Sequence, residues 1–76
     1  MTVLVATAER HIARLCEVSL SRQGWSVHCA LNSKQAREFI HSRAPDLLVL
    51  DSRMERQSAL AQEAASLGIK VMELSE

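Results

Sequence analysis

The chain has 76 residues, of which 47% are apolar and 24% are charged, and its formal net charge is zero. A chain of this length forms one domain at most, and its high apolar content without net charge excludes an intrinsically disordered protein. A general binder of nucleic acid or of membrane surfaces would need a strong field of one sign, which zero net charge does not supply. We therefore expect a single domain over residues 1–76 with no nucleic-acid partner.

No apolar segment approaches the roughly 20 residues that a membrane-spanning helix needs, and the first apolar run is too short for a signal peptide. The two cysteines, Cys16 and Cys29, do not form a C-x-x-C pair, and the histidines lie on different segments. Reduced thiols fit the cytoplasm, where disulfides are rare. The sequence thus predicts a cytoplasmic protein with no membrane partner and no metal site.

The first elements alternate between apolar runs and helical patterns. Residues 3–6 form a short run rich in β-branched side chains, which indicates a buried strand. Residues 8–23 carry apolar side chains at helical spacing, and Gly24 ends this pattern. Residues 25–31 then predict a second strand.

The next segment predicts a helix followed by the clearest strand of the chain. Asn32 predicts the N-cap of this second helix, with Gln35 completing a capping box, and the helix ends before Pro45. Residues 47–50 form an unbroken apolar run, as expected of a central parallel strand buried on both faces. Asp51 follows this run directly.

The last segment predicts a third helix and a fourth strand. Ser52 and Glu55 form an S-x-x-E pattern that predicts a capping box at the start of the helix, and Gly68 ends it. Residues 69–74 predict the fourth strand. Strands that alternate with helices in this way form a parallel sheet with right-handed connections and helices on both faces.

Asp51 is the candidate functional residue, because ligands of open parallel sheets bind at the carboxyl ends of the strands. A carboxylate there could be a nucleophile, a metal ligand or a phosphoacceptor. It could equally be a polar strand end that meets solvent or helps to cap the next helix. No glycine-rich phosphate loop and no serine-histidine pairing offers a second candidate.

Three features between residues 3 and 54 form a recognisable pattern: the phrase HIARLCEVSLSRQGWSV, the pattern of helix two, and PDLLVLD followed by Met54 in a D-x-x-M motif. With these features the stretch resembles the receiver domains of two-component response regulators. The resemblance implies a flavodoxin-like α/β fold with strand order 2-1-3-4, lacking the fifth strand and fifth helix of receivers. It also implies that helix one covers one face and helices two and three the other. Asp51 falls where receivers are phosphorylated, and Ser75 where a hydroxyl contacts the phosphoryl group.

The sequence differs from that of receivers at the positions where receivers hold Mg²⁺. Thr7 and Ala8 replace the acidic pair after strand one, and only the neighbouring Glu9 is acidic. Mg²⁺ needs near-octahedral oxygen ligands, and phosphoryl transfer depends on the ion. We therefore expect no cofactor, Mg²⁺ binding no tighter than millimolar, and an exposed Asp51. Thr7 is interpreted as a cap of helix one. Arg53 either pairs with Asp51 or is an exposed side chain at the start of helix three, and we prefer the second interpretation.

These observations predict a non-catalytic signalling module that acts by protein contacts, independently of phosphorylation. One alternative is a minimal receiver that accepts a phosphoryl group on Asp51. The other is a small enzyme or carrier subunit built on a flavodoxin-like sheet, because a fold alone permits many functions.

The partner surface follows from the missing fifth helix. One face of the sheet over strands three and four is left bare, and strand four becomes an open edge. Symmetric pairing is the commonest way to cover such a surface. We expect a homodimer through this face or through the strand-four edge, at Val71, Met72 and Leu74. Glu73 weakens the purely apolar version, because it places a charge on one face of strand four.

Substitutions in the third strand are expected to separate structural from functional residues. Leu48→Asp or Val49→Asp should unfold the domain, because an unpaired charge in a central strand is costly. Asp51→Ala should leave folding nearly intact if Asp51 is an exposed site.

Overall fold

The computed structural model describes residues 1–74 of the chain. The elements are β1 (Thr2–Ala6), α1 (Arg10–Ser21), β2 (Ser26–Ala30), α2 (Ser33–Ser42), β3 (Leu47–Asp51), α3 (Gln57–Ser66) and β4 (Lys70–Leu74). The four strands form one parallel sheet in the order β2-β1-β3-β4. The predicted strand order is therefore confirmed, with the two most apolar strands in the centre.

The larger core lies between the sheet and the helices α2 and α3. Alternate residues of a strand point to opposite faces, so Leu4, Leu48 and Leu50 share this face and are fully buried. Ile40 of α2 and Leu60 of α3 pack against them. Both helices therefore lie on one face of the sheet, as predicted.

The smaller core lies on the opposite face, beneath α1. It consists of Val3, Val5 and Val49, with Cys16 and Leu20 of α1 packed against it. In the described residues α1 contacts β1 and β2, but neither β3 nor β4. The half of this face over β3 and β4 therefore has no helix above it within residues 1–74.

The N-terminus of α2 is capped as the sequence predicts. The side-chain oxygen of Asn32 accepts a hydrogen bond from the backbone N–H of Gln35 at 2.8 Å. The side-chain oxygen of Gln35 in turn accepts from the N–H of Leu31 at 3.0 Å. The two side chains thus satisfy backbone donors at the helix entry.

The predicted capping box of the third helix is wrong. The helix begins at Gln57 instead of following Ser52, and its N-cap Arg56 has a left-handed backbone with φ of 62° and no side-chain cap. The Asp51 carboxylate holds the N–H of Arg53 at 2.9 Å, and Met54 is buried in the larger core. These two contacts keep residues 52–56 in turns, because a side chain that binds backbone groups locally competes with helix formation.

None of the helices within residues 1–74 is long and apolar enough to cross a bilayer.

Candidate functional site

The candidate site lies where β1 and β3 end side by side. The parallel register pairs Ala6 with Leu50, so Thr7, which follows β1, and Asp51, the last residue of β3, are neighbours. Both side chains lie on the α1 face, because they follow Val5 and Val49 at a spacing of two. The backbone N–H of Thr7 donates to the carbonyl of Ala30 at 3.0 Å, which ties this residue to β2 as well.

Thr7 and Asp51 form a buried side-chain hydrogen bond. The Thr7 hydroxyl donates to Oδ2 of Asp51 at 2.7 Å, and the two residues are 0% and 4% exposed, respectively. The same hydroxyl oxygen accepts from the backbone N–H of Glu9 at 3.1 Å. Thr7 therefore shapes the turn into α1, although the N-cap position itself is Glu9 and its side chain makes no capping bond.

Arg53 engages the other oxygen of the carboxylate. Its backbone N–H donates to Oδ1 of Asp51 at 2.9 Å, and its Nε lies 3.5 Å from the same oxygen. Of the two interpretations of Arg53, the pairing with Asp51 is the one observed, and the preferred alternative is correct only in that the side chain is exposed. The residue lies in a turn and pairs with Asp51, although half of its side chain remains accessible.

Asp51 is charged at neutral pH. The backbone N–H of Arg53 is the main cause that holds its pKa below the ordinary value, helped by the Thr7 hydroxyl and the Arg53 guanidinium and opposed by burial. Hydrogen bonds to the charged form favour that form. The group is therefore a buried carboxylate that protein donors stabilise.

The expected exposure of Asp51 is wrong, because the side chain is almost completely buried. The sequence predicts its position at the carboxyl end of β3 and offers pairing with Arg53 as one interpretation, but it does not predict the hydrogen bond from Thr7. This donor, Thr7, comes from a strand 44 residues earlier. The signal that could have found it is register, because adjacent parallel strands that end together bring their following residues into contact.

The other predicted supporting residues do not join this group. The Glu9 carboxylate lies 3.6 Å from Nδ1 of His11 and is half exposed. Ser75 lies outside the described residues. Within residues 1–74 no three histidine, cysteine, aspartate or glutamate side chains are grouped so that they could hold a metal ion.

No family model matches the chain, but solved structures do. The receiver domain of the Francisella response regulator 1452 superposes with a TM-score of 0.86 at 26% identity, over 97% of this chain and 64% of that one. The response regulator TrrA from Thermotoga maritima superposes with a TM-score of 0.89 at 26% identity, over 97% of this chain and 68% of that one.

A receiver domain protein from Methanospirillum hungatei superposes with a TM-score of 0.90 at 18% identity, over 97% of this chain and 62% of its own. The chain thus spans less than two thirds of the Francisella and Methanospirillum structures, 64% and 62%, and 68% of the Thermotoga structure. The four parallel strands in the order β2-β1-β3-β4, the placement of the three helices and these superpositions agree with one another. The resemblance predicted from the sequence is confirmed, and the chain has the fold of a response-regulator receiver domain.

Proposed function

We propose that the chain is a non-catalytic signalling module of receiver type that acts through protein contacts and without phosphorylation. The observation that carries this proposal is the buried hydrogen bond of 2.7 Å between the Thr7 hydroxyl and Oδ2 of Asp51. With Arg53 on Oδ1, both carboxylate oxygens are already engaged by groups of the protein itself.

A phosphoacceptor aspartate needs an accessible oxygen and a cation that neutralises the transferred group. Asp51 is only 4% exposed. Threonine and alanine at positions 7 and 8 offer no carboxylate for Mg²⁺ where the resemblance to receivers requires an acidic pair. The Thermotoga regulator TrrA was solved in complex with Mg²⁺-BeF, and these differences argue against a comparable complex of this chain.

The proposal is tested by calorimetric titration with Mg²⁺, alone and with beryllofluoride, and by mass spectrometry after incubation with acetyl phosphate. We expect no Mg²⁺ binding tighter than millimolar and no phosphoryl adduct. The double variant Thr7→Asp/Ala8→Asp is the positive control, because it restores carboxylates beside Asp51 and should gain Mg²⁺ affinity. Micromolar Mg²⁺ binding by the unaltered chain, or a phosphoryl adduct that Asp51→Asn abolishes, would refute the proposal.

We further propose that a second copy of the chain covers the sheet over β3 and β4. We call this surface the open face, defined by Leu47, Met72 and Leu74, which share the α1 side of the sheet with the buried Val49. Lys70, the first residue of β4, lies on the same side and places one cation at the end of this face. Met72 is 54% exposed at its centre. Zero net charge allows two copies to approach without repulsion, and a two-fold dimer brings the same apolar patch of each copy together.

The charge of Glu73, which we expected to weaken an apolar dimer contact, does not lie on the open face. Glu73 lies on the opposite face from Met72, and Gln57 of α3 donates a side-chain hydrogen bond to it at 2.5 Å. Its charge is therefore absent from the open face. Val71, which we expected in the contact surface, also lies on the far side and packs against the larger core.

The geometry of the sheet favours the open face over the β4 edge as the contact surface. Two β4 edges that pair about a two-fold axis keep the same face of both sheets on one side. Such a continuous sheet would join two open faces into a larger exposed apolar surface, which is unfavourable. Packing one open face onto the other removes both from water.

Sedimentation equilibrium of the isolated chain tests the dimer. We expect a dimer at micromolar concentration that Met72→Lys converts into a folded monomer. Leu67→Lys is the matched control, because Leu67 is an apolar residue of similar exposure, 47%, at the C-cap of α3. A well-behaved monomer at high micromolar concentration, or equal dissociation by both variants, would contradict the proposed interface.

A further inference from the structure

A second feature lies on the other side of the molecule, between α2 and α3. The two helices pack beside each other and leave a groove of about 770 Å³. Its lining includes Ser33, Lys34 and Arg37 from the first turns of α2, and Arg56 before α3. This groove is separate from both the open face and the Asp51 carboxylate, so nothing in the proposed function uses it.

The rim of the groove is cationic. Three cations line it, Lys34, Arg37 and Arg56, and Glu63 is the acidic residue among them. Glu63 is already paired, because Nε of Arg37 lies 3.3 Å and Nε2 of His41 3.0 Å from its carboxylate. Within residues 1–74, Lys34 and Arg56 therefore present positive charge to the groove without an acidic partner.

Arg56 also has a strained backbone. Its φ of 62° and ψ of 28° lie in the left-handed region, which glycine adopts freely and a long side chain adopts at a cost. Residues held in such conformations concentrate at binding sites and ligand clamps. At the mouth of the groove, Arg56 thus occupies a backbone conformation that glycine would adopt without strain.

The floor of the groove is apolar. Leu60 is buried beneath it and Ala59 is exposed beside it. A nucleic-acid backbone could use the cationic rim, but it has no apolar group for this floor. The lining extends along α3 from Arg56 to Ser66, about 15 Å at 1.5 Å per residue, which matches four to five residues of extended chain at about 3.3 Å each.

We propose that this groove binds a short acidic segment of a partner protein, with one apolar side chain of that segment against Ala59 and its carboxylates on Lys34 and Arg56. The interaction is distinct from the dimer contact, because it uses the opposite face of the sheet. It is also independent of Asp51, so it holds whether or not that carboxylate is ever phosphorylated.

The probe is a fluorescein-labelled hexapeptide of aspartate and glutamate with one central leucine, and the readout is fluorescence anisotropy on the full chain. We expect saturable micromolar binding. The variant Lys34→Gln/Arg56→Gly should weaken it about threefold to tenfold, as the loss of two exposed charge contacts predicts. Glycine is chosen at position 56 because it adopts the left-handed backbone without strain.

The control variant Arg14→Gln/Arg22→Gln removes the same charge from exposed positions outside the groove lining. It should bind the hexapeptide as the unaltered chain does, and replacing the leucine of the probe by serine should weaken binding. The proposal is overturned by no saturable binding at millimolar peptide, by equal loss in both variants, or by an oligonucleotide of equal charge that binds more tightly than the peptide.

Discussion

Asp51 is a residue whose chemical type alone permits either a reactive or a structural role. What decides between them is the use of its two carboxylate oxygens. Oδ2 accepts from the Thr7 hydroxyl and Oδ1 from the backbone N–H of Arg53. A buried carboxylate with donors on both oxygens joins the ends of β1 and β3 to the turn that follows. We therefore assign it a structural contribution, in contrast to the expectation that its removal leaves folding intact.

The first prediction concerns this contribution. Asp51→Ala should lower the free energy of unfolding by about 1–3 kcal/mol, because it leaves buried donors without an acceptor. Asp51→Asn should cost less, since its amide oxygen can still accept from Arg53. Urea denaturation measures both values. A loss below about 0.5 kcal/mol in Asp51→Ala, the usual range of surface substitutions, would show that the hydrogen bonds do not stabilise the fold.

The second prediction concerns pH. The pKa of Asp51 in the folded chain lies below its ordinary value of 3.8. The stabilisation is therefore fully present above that value and is lost as the pH falls through the lowered pKa of the folded state. Urea midpoints of the unaltered chain and of Asp51→Asn should converge as the pH falls below about 4. A constant difference between them across this range would contradict the assignment.

At the scale of elements, a capping-box pattern predicts the start of α2 correctly and the start of α3 incorrectly. Asn32 caps α2 because the chain enters this helix directly from β2 and its side chain is free to reach the N–H of Gln35. Ser52 cannot act in the same way, since its own N–H donates to the carbonyl of Leu74 at 3.0 Å. The residue is thereby held in the sheet edge, five positions before α3 begins.

The third prediction compares these two caps. Asn32→Ala should lower the free energy of unfolding by about 1 kcal/mol, the usual effect of losing a side-chain cap. Ser52→Ala should change it by less than about 0.5 kcal/mol, because Ser52 is exposed and caps no helix. Thermal or urea unfolding of the two variants measures the difference. An equal loss in both would mean that Ser52 caps α3 after all.

At the scale of the whole molecule, the sheet is covered unequally. Two helices cover the face that carries Leu48, whereas α1 covers only part of the face that carries Val49. A domain of this size buries only about 60% of its unfolded surface. The free energy of unfolding of the domain is therefore small. A partner that covers the uncovered half of the sheet would increase it.

The fourth prediction follows from this arrangement. Leu48→Asp should unfold the domain, because an unpaired charge in the larger core costs several kcal/mol, comparable to the whole stability of a small domain. Val49→Asp should also destabilise it strongly, since Val49 is only 6% exposed. Met72→Asp is the control on the same face and should remain folded. Circular dichroism distinguishes the outcomes, and a folded Leu48→Asp would contradict the assigned core.

The sequence by itself determined the order of elements, the parallel sheet and the strand residues of the two cores, whereas Leu15 and Leu67 of the helical apolar patterns are exposed. These features depend on patterns within short segments, such as the apolar run of β3 and the helical spacing of α1. The carboxyl-end position of Asp51 followed from the same patterns, and the resemblance to receivers followed from the residues around it. The strand order and the helix faces agreed with both.

Only the tertiary structure decided what surrounds Asp51, where α3 begins and which side of β4 is open. Thr7 and Asp51 are separated by 44 residues, and the register of β1 against β3 brings them together. Glu73 pairs with Leu50 in the register of β3 against β4. Its carboxylate therefore lies on the side of Leu50 and not on the open face. Local patterns specify which residues are buried, but contacts between distant strands depend on register, and register is a property of the assembled sheet.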